Sequence, residues 1–312
     1  MSRATGSNEE ARAVAACAWC GGPIVAGDER TAAGAVCPRC ASATTEPVPS
    51  EAELELAYAS WYRPESGRFS GAGDALLSRT RGLLASRLDQ IAPPGSILDV
   101  GSGDGTLLAA LRAQGREAVG VERAAQNEGV ISGDVREIGR GFAGVVFWHS
   151  LEHLRDAGEV IGHAAGLLEP GGVLVVAMPN SASIQARLFA DRWLALDLPR
   201  HLVHVPASAL HRRLGDLGLR VERTSYARGG QVVFGWLHGL VGSLPGNPDL
   251  YDAIRRPQAR HEPISRRRRA AALVAAVALA PFAAVAAVVE IALSRGGTTY
   301  VEARRPSAGH LA

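Results

Sequence analysis

Between residues 93 and 226 the chain alternates short apolar runs with longer stretches of helical spacing. Residues 97–100 (Ile-Leu-Asp-Val) form the first run, entered from the breaker Pro93-Pro94-Gly95 and closed by a glycine-rich turn. A helix is expected over 106–112. A second apolar run covers 118–121, a third ends at Ser132-Gly133-Asp134, and a fourth spans 143–147. A helix then runs to 168, the turn Glu169-Pro170-Gly171-Gly172 follows, and a fifth run covers 173–178. A helix over 207–217 and a strand over 219–226 continue the series. Strands that alternate with helices in this way predict an α/β domain built on a mainly parallel sheet.

After residue 226 the pattern changes. Residues 232–244 are apolar, a Pro/Gly/Asn turn comes next, and a basic stretch from 255 ends in Arg266, Arg267, Arg268 and Arg269. Residues 270–289 then carry no charge, which on length alone suffices for a bilayer span. Eleven of these twenty are alanine and Pro281 sits in their middle, so the drive to insert is weak. Residues 298–304 read as the last strand of the sheet, and a single span would leave that strand on the wrong side of the membrane. The consistent arrangements are a re-entrant hairpin broken at Pro281, helices lying in the membrane plane, or two spans with 232–244 as the first. Because 232–244 is short for a span, a re-entrant or in-plane form is expected. The four arginines would then meet the anionic cytoplasmic leaflet, at roughly 1 kcal/mol each. The soluble alternative is an alanine-rich helix packed on the domain or on a dimer partner.

The opening MSRATGSNEE is polar and has no apolar core, so it is not a secretory signal and a cytoplasmic start is expected. All four cysteines fall nearby, as Cys17-x2-Cys20 and Cys37-x2-Cys40 with sixteen residues between the pairs. Two such knuckles can close a tetrahedral thiolate site around zinc, the zinc-ribbon pattern. A pair of disulfides is the alternative, disfavoured in a reducing cytoplasm. A four-thiolate site has no open position, so the zinc would be structural.

Composition adds limits. The 312 residues are 47% hydrophobic and 21% charged with a net charge of +2, enough for a sizeable core and too balanced for a general nucleic-acid coat. No nucleic-acid partner is expected. There is no lysine, so every basic side chain other than histidine is arginine.

The turn after the first strand reads Asp99-Val100-Gly101-Ser102-Gly103-Asp104-Gly105. Its glycines allow close backbone approach to a ligand, and the following helix start offers free N–H groups. A dinucleotide fold would have G-x-G-x-x-G, whereas the third position here is Thr106 and the glycines run G-x-G-x-G. Glu122 ends the second strand about 20 residues on, where an acid can accept both hydroxyls of a ribose. Asp134 ends the third, where an acid could face an adenine amino group. Only seven residues separate Glu122 from Val130, short of the ~10–12 of a full crossover, so the intervening helix should be shortened or missing.

DVGSGDG, GVE, SGD, SLEHL, LLEPGGVLVVAMPN and DLPRHLVH, in this order, resemble a class I S-adenosylmethionine-dependent methyltransferase. Within that superfamily the chain resembles the branch with an amino-terminal zinc ribbon, found among bacterial cell-surface polysaccharide and sugar-modifying enzymes. SLEHL is also similar to ubiquinone-biosynthesis O-methyltransferases. The resemblance covers roughly 75–226 plus a terminal strand. It implies a Rossmann-like seven-stranded sheet with an antiparallel last strand, and S-adenosylmethionine over the carboxyl ends of the first four strands. Asp99, Gly101, Ser102, Gly103, Glu122 and Asp134 are then the expected cofactor contacts, with Trp148 and His149 lining the cleft. It further implies that the stretch within residues 41–74 lies across the cofactor mouth as a lid, so that Tyr58, Trp61, Tyr62 and Arg63 reach cofactor or acceptor.

Methyl transfer from a sulfonium is an in-line displacement whose leaving group departs neutral. Alignment and desolvation are the main tasks, and a base is needed only for a hydroxyl or ammonium acceptor. His149 and His153 after the fourth strand, and His201 with His204 after the fifth, are the candidates. His153, His201 and His149 are taken as acceptor-side catalytic residues, the competing role being hydrogen-bonded loop braces. Asn180 and Arg200 would bind acceptor or order loops. His149-x-x-Glu152-His153 also matches the inverted zinc-peptidase pattern, though at a strand end rather than on a helix. A divalent ion held by Glu152 and His153, as in the similar quinone enzymes, is a milder variant.

The expected organisation is a zinc ribbon (1–45), lid and linker helices (46–92), a cofactor-binding core (93–226), an apolar basic-flanked insertion (227–296) and the last strand with a tail (297–312). The expected activity is methyl transfer, on oxygen, to a glycan, lipid-linked sugar or similar small acceptor at the cytoplasmic membrane face. A degenerate methyltransferase fold acting as an envelope-assembly scaffold is the non-enzyme alternative.

Overall fold

The computed structural model describes residues 13–25, 27–59, 69, 72–123, 129–227, 230–260 and 263–307. Seven strands form one sheet: β1 Ile97–Val100, β2 Ala118–Glu122, β3 Val130–Ser132, β4 Phe142–Trp148, β5 Leu168–Pro179, β6 Arg220–Ser225 and β7 Thr298–Arg304. Their order is β6-β7-β5-β4-β1-β2-β3. β3, β2, β1, β4 and β5 run parallel, while β7 lies antiparallel to both β5 and β6. The chain therefore has the mixed seven-stranded methyltransferase sheet, with its last strand inserted antiparallel.

β1 and β4 carry near-continuous apolar runs because both their faces are covered, as parallel strands require. Two short helices are α1 Glu51–Ala57 and α5 Ile184–Phe189. On one face of the sheet, α2 Ala72–Ile91 and α3 Thr106–Ala113 pack Leu84, Leu88, Leu108 and Leu111 against Ile97, Val146 and Val175. On the other, α4 Ala157–Gly166 and α6 Ala207–Asp216 pack Ile161 and Leu210 against Leu98, Val145 and Val176. The turn expected at residues 169–172 is absorbed into β5 as an irregularity between Leu168 and Val173. The short β2–β3 connection is as expected in length; residues 124–128 lie outside the described ones.

The cysteine-rich segment docks on the α4/α6 face. Trp19 is buried there, its indole N–H donating to the Ala209 carbonyl at 3.4 Å, and the Gly158 N–H donates to the Ala18 carbonyl at 3.0 Å. A Cβ at position 158 would meet the Trp19 carbonyl oxygen at 1.8 Å, so this contact requires glycine. The segment then continues as the strand Ala43–Thr44, which pairs antiparallel with Val203–His204.

Between β6 and β7 lie α7 Gln231–Gly242, α8 Leu250–Ile254 and α9 Arg266–Ala292. The break expected at Pro281 does not occur. α9 runs unbroken for 27 residues with Pro281 inside it, which corrects the re-entrant hairpin. The ring removes one helical hydrogen bond, but Ala276, Ala283 and Ala287 around it stay buried, so packing holds the helix together. α7, at twelve residues or about 18 Å, is too short to span. Among the described residues α9 is the one helix long and apolar enough to cross a membrane, by length and composition.

Candidate active site

β1 ends in a turn that only glycine fits. Gly101 adopts φ +77°, and a Cβ there would lie 2.4 Å from the Ser150 Cβ. The Gly103 N–H points to Glu122 Oε2 at 3.0 Å, which fixes the acid at the end of β2 beside the turn. Arg81, Asp99, Gly101, Ser102, Gly103, Asp104, Leu107, Trp148 and His149 line a cavity over the carboxyl ends of β1 and β4. Open α/β sheets bind their ligands in this position.

The cavity is polar and under-satisfied. Ser102 Oγ and His149 Nε2 are buried without hydrogen-bond partners. Burial pushes the Asp99 carboxyl up to about 7, opposed by the Arg81 charge and assisted by Glu122 and Asp104. A ligand carrying an ammonium, a carboxylate and hydroxyl groups would complement these charged and polar groups. S-adenosylmethionine fits that description: Asp99 would meet its ammonium, Arg81 its carboxylate and Glu122 its ribose.

Sequence reasoning missed Arg81. Its guanidinium lies 5.2 Å from the Trp148 ring centre. The signal was its spacing with Leu84, Ala85 and Leu88, which puts an arginine on the buried face of α2. Asp134 is placed differently from the other expected cofactor contacts. It caps the turn Val135–Glu137 by accepting from the Arg136 N–H at 2.9 Å and pairs with the Arg136 guanidinium, which also bonds Asp156. Neither Asp134 nor Glu122 lines the cavity itself, but Glu122 is tied to the glycine turn through the Gly103 N–H, and among the described residues Asp134 has no such bond to the turn. Of the expected lid, Tyr58 is described and its hydroxyl lies 2.9 Å from His153 Nδ1; Trp61, Tyr62 and Arg63 lie outside the described residues.

A second cluster abuts the cavity through His149. This residue ends β4 in a left-handed conformation (φ +52°), lines the cavity, and bonds Glu152 Oε1 through Nδ1 at 3.2 Å. Backbone strain of this kind persists only where the surroundings impose it. Glu152 is buried, and its Oε2 has no partner. Burial would raise its pKa, but the His149 bond and the nearby His201 and His153 bring it to about 2, so it is a carboxylate.

The turn carrying DLPRHLVH brings His201 and His204 to the same place. His201 Nδ1 lies 2.8 Å from the Ala195 carbonyl, which can only accept, so Nδ1 carries the proton. His201 Nε2 then faces Asp197 Oδ2 at 3.6 Å and Glu152 Oε1 at 4.0 Å. His201 thus turns its second ring nitrogen toward two carboxylates. His153 packs edge-on against His201 with centroids 4.7 Å apart, and its Nδ1 donates to the Arg200 carbonyl at 3.0 Å. Burial and the His201 charge lower its pKa to about 4. His204 is lowered to about 3, by burial first, and its Nε2 meets the Thr45 hydroxyl at 3.0 Å. His204 is therefore a brace, whereas His201 Nε2 faces the Asp197 and Glu152 carboxylates.

Asn180 and Arg200 also brace. Asn180 bonds the Gly296 carbonyl and the Ala182 and Ala207 N–H groups. Arg200 pairs with Asp197 and donates to the Ala57 carbonyl at 3.2 Å. The His149-x-x-Glu152 pair spans a strand end and the short turn Leu151–His153, not one helical face, so the peptidase geometry is absent here. Glu152, His153 and His201 each offer one ligand atom within 4.8 Å of the others.

The four cysteine sulfurs also lie within 4.8 Å of one another, with Cys17–Cys40 and Cys20–Cys37 each at 3.6 Å. Tetrahedral bonds of ~2.3 Å would set sulfurs about 3.8 Å apart, so the cluster has the dimensions of a zinc site.

A methyltransferase-domain family model matches residues 76–224. No curated protein matches the chain in sequence. Among solved structures, the [4+2]-cyclase SpnF is 16% identical, covers 84% of this chain and 98% of its own, and has a TM-score of 0.49. A SAM-dependent methyltransferase from Archaeoglobus fulgidus is 16% identical over 72% of this chain and 94% of its own, at 0.44. The 1,6-didemethyltoxoflavin-N1-methyltransferase of Burkholderia thailandensis is 14% identical over 86% and 97%, also at 0.44. Likenesses of this degree say nothing about the acceptor. Residues 76–224 are thus a methyltransferase domain, and the mixed seven-stranded sheet with its antiparallel last strand is the class I S-adenosylmethionine-dependent methyltransferase fold.

Proposed function

We propose that the chain methylates a hydroxyl of a glycan or lipid-linked sugar at the cytoplasmic face of the membrane. The observation that carries the reading is His149, which lines the cofactor cavity on one side and bonds Glu152 of the histidine cluster on the other. Bound S-adenosylmethionine supplies an electrophilic methyl group and a sulfur that leaves neutral. His201 Nε2 takes the hydroxyl proton as the oxygen–carbon bond forms, and Glu152 and Asp197 stabilise the imidazolium produced. Tyr58, on the cluster's outer side, closes it from water.

The lipid-linked class of acceptor is supported by what surrounds the cluster. Trp193 and Leu196, beside the Ala195 carbonyl that orients His201, pack in one apolar body with Trp236 of α7 and with Ala283 and Ala287 of α9. The greasy insertion is thus part of the wall behind the acceptor-side base. Zinc in the four-cysteine cluster has a structural role in this reading, and no residue of the cluster reaches the cavity.

Incubation with methyl-labelled S-adenosylmethionine and a membrane-lipid or glycan extract tests the reading. Label in an alkali-stable, lipid-extractable glycan is expected. Cofactor binding by calorimetry with no label in any extract would leave a binding fold without this chemistry and overturn it.

A further inference from the structure

α9 is built inside out. The residues it turns to the protein are small: Ala272, Ala276, Ala283 and Ala287 are buried, with Glu290 below them. The residues it turns outward are large and apolar: Val274, Val277, Phe282, Val285 and Val288 are 65–78% exposed. A water-facing helix has the opposite arrangement. Over five turns this outer face offers no hydrogen-bonding side chain.

Both ends of α9 are fixed to the domain. Near its start, Ala272 and Ala276 pack with Val241, Leu250 and Ala253, and Arg269 Nε donates to the Ala253 carbonyl at 2.9 Å. Near its end the buried Glu290 accepts from the Gln185 N–H at 2.9 Å, from Gln185 Nε2 at 2.8 Å and from Trp236 Nε1 at 2.8 Å. A helix held along its length cannot stand up across a bilayer without tearing these contacts. Its two flanking strands, β6 and β7, are also neighbours in one sheet.

Charge selects what covers the face. Arg266, Arg267 and Arg268 are exposed at the helix start, where the helix dipole is already positive and the first turn holds no acid. Among the described residues none of the three has an ion-pair partner. The far end carries exposed Arg295, and Glu290 is buried. A second copy of the chain, parallel or antiparallel, would therefore set arginines against arginines. Protein interfaces also carry a polar rim and hydrogen bonds, which this face lacks. An apolar stripe of about 30 Å with cations at both ends matches acyl chains beneath anionic headgroups.

We infer that α9 lies flat in one leaflet of an anionic bilayer, its outer face in the acyl boundary and its terminal arginines on lipid phosphates. This deepens the membrane-face part of the proposed function and is independent of its chemistry.

The test is flotation of the full chain with phosphatidylcholine vesicles, with and without phosphatidylglycerol. Binding to the anionic vesicles is expected, weakening about fivefold for each of Arg266→Gln, Arg267→Gln and Arg268→Gln. The double variant Val277→Asp/Phe282→Asp changes only exposed positions, so it should keep its circular dichroism and cofactor affinity while losing the vesicles. The inference is overturned if the wild-type chain ignores anionic vesicles or the double variant binds them equally. It is also overturned if the chain is a lipid-free dimer that this variant dissociates, or if bound chain resists alkaline carbonate as a spanning helix would. Cofactor binding, measured separately, reports on the enzyme reading alone.

Discussion

The Thr45 hydroxyl lies 3.0 Å from His204 Nε2 and donates its single proton to the His201 carbonyl at 2.6 Å. His204 must then be the donor in the first bond, with its proton on Nε2. One threonine, five residues beyond Cys40, thus ties the cysteine cluster to the turn that carries His201. Thr45→Val keeps the shape and leaves a buried N–H unpaired, at a cost of ~1–3 kcal/mol. Urea titration should show that loss, and Thr45→Ser should recover most of it. An unchanged midpoint in the valine variant would mean the bond is not formed.

Metal in the cysteine cluster should be inseparable from this turn. One zinc per chain is expected by elemental analysis, and Cys37→Ser, at a fully buried position, should lower both metal content and melting temperature. Imidazole resonances of His201 and His204 should shift when zinc is removed by chelator. A chelator-treated chain with unaltered histidine spectra would uncouple the two features.

Cofactor affinity should depend on Glu122 and Arg81. Glu122→Ala and Arg81→Ala each remove a charge-assisted hydrogen bond worth about 1.5–3 kcal/mol, or roughly 10–150-fold in affinity. The two differ in ligand dependence. Arg81→Ala should weaken S-adenosylhomocysteine but not methylthioadenosine, which has no carboxylate. Equal loss for both ligands would refute the assignment of Arg81 to the carboxylate.

Asp99, raised to about 7 by burial, must ionise to meet the ligand ammonium. A raised carboxyl favours the folded apo-protein in acid, and that contribution is lost as pH rises through about 7. Ligand affinity has the opposite sign and should climb over the same window to a plateau. Calorimetry below pH 7, in buffers of different ionisation enthalpy, should detect proton release on binding, and Asp99→Asn should abolish it.

His153 and His204 are lowered to about 4 and about 3, chiefly by burial. Their contribution to stability is full above the unfolded histidine pKa of about 6.5 and is lost as pH falls below it. Each adds up to about 1.4 kcal/mol per pH unit to the acid-side slope. Denaturant midpoints should drop between pH 6.5 and 4, less steeply in His204→Gln.

The cofactor half of the molecule was legible in the sequence because its signals are local. Glycine-rich turns, apolar runs and the spacing from Asp99 to Glu122 are all read within about 25 residues. The acceptor half was legible only as a list. His149, Glu152, His201 and Asp197 meet through contacts across about 50 residues, and the Ala43–Thr44 strand that supports them comes from still further away. Arg81 was hidden because α2 was read as linker. Pro281 misled because propensity predicts a break, whereas tertiary packing of the alanine stripe kept the helix whole. Asp134 satisfied the motif, yet Arg136 two residues on holds its carboxylate.

β7 sits between β5 and β6, and it is the last of the seven strands to be synthesised. Until it arrives, both neighbours present open edges, and the ion pair of Arg87 with the buried Glu302 is unmade. α9 precedes it, so the outward valines and Phe282 leave the ribosome while the sheet is still incomplete. A nascent chain in this state has an unfinished sheet and a finished apolar helix at once. Capture of that helix by lipid during translation would keep it from pairing with other chains. Expression with anionic membranes present should therefore raise the folded yield, and any fragment ending before residue 298 should aggregate whatever its cofactor loop contains.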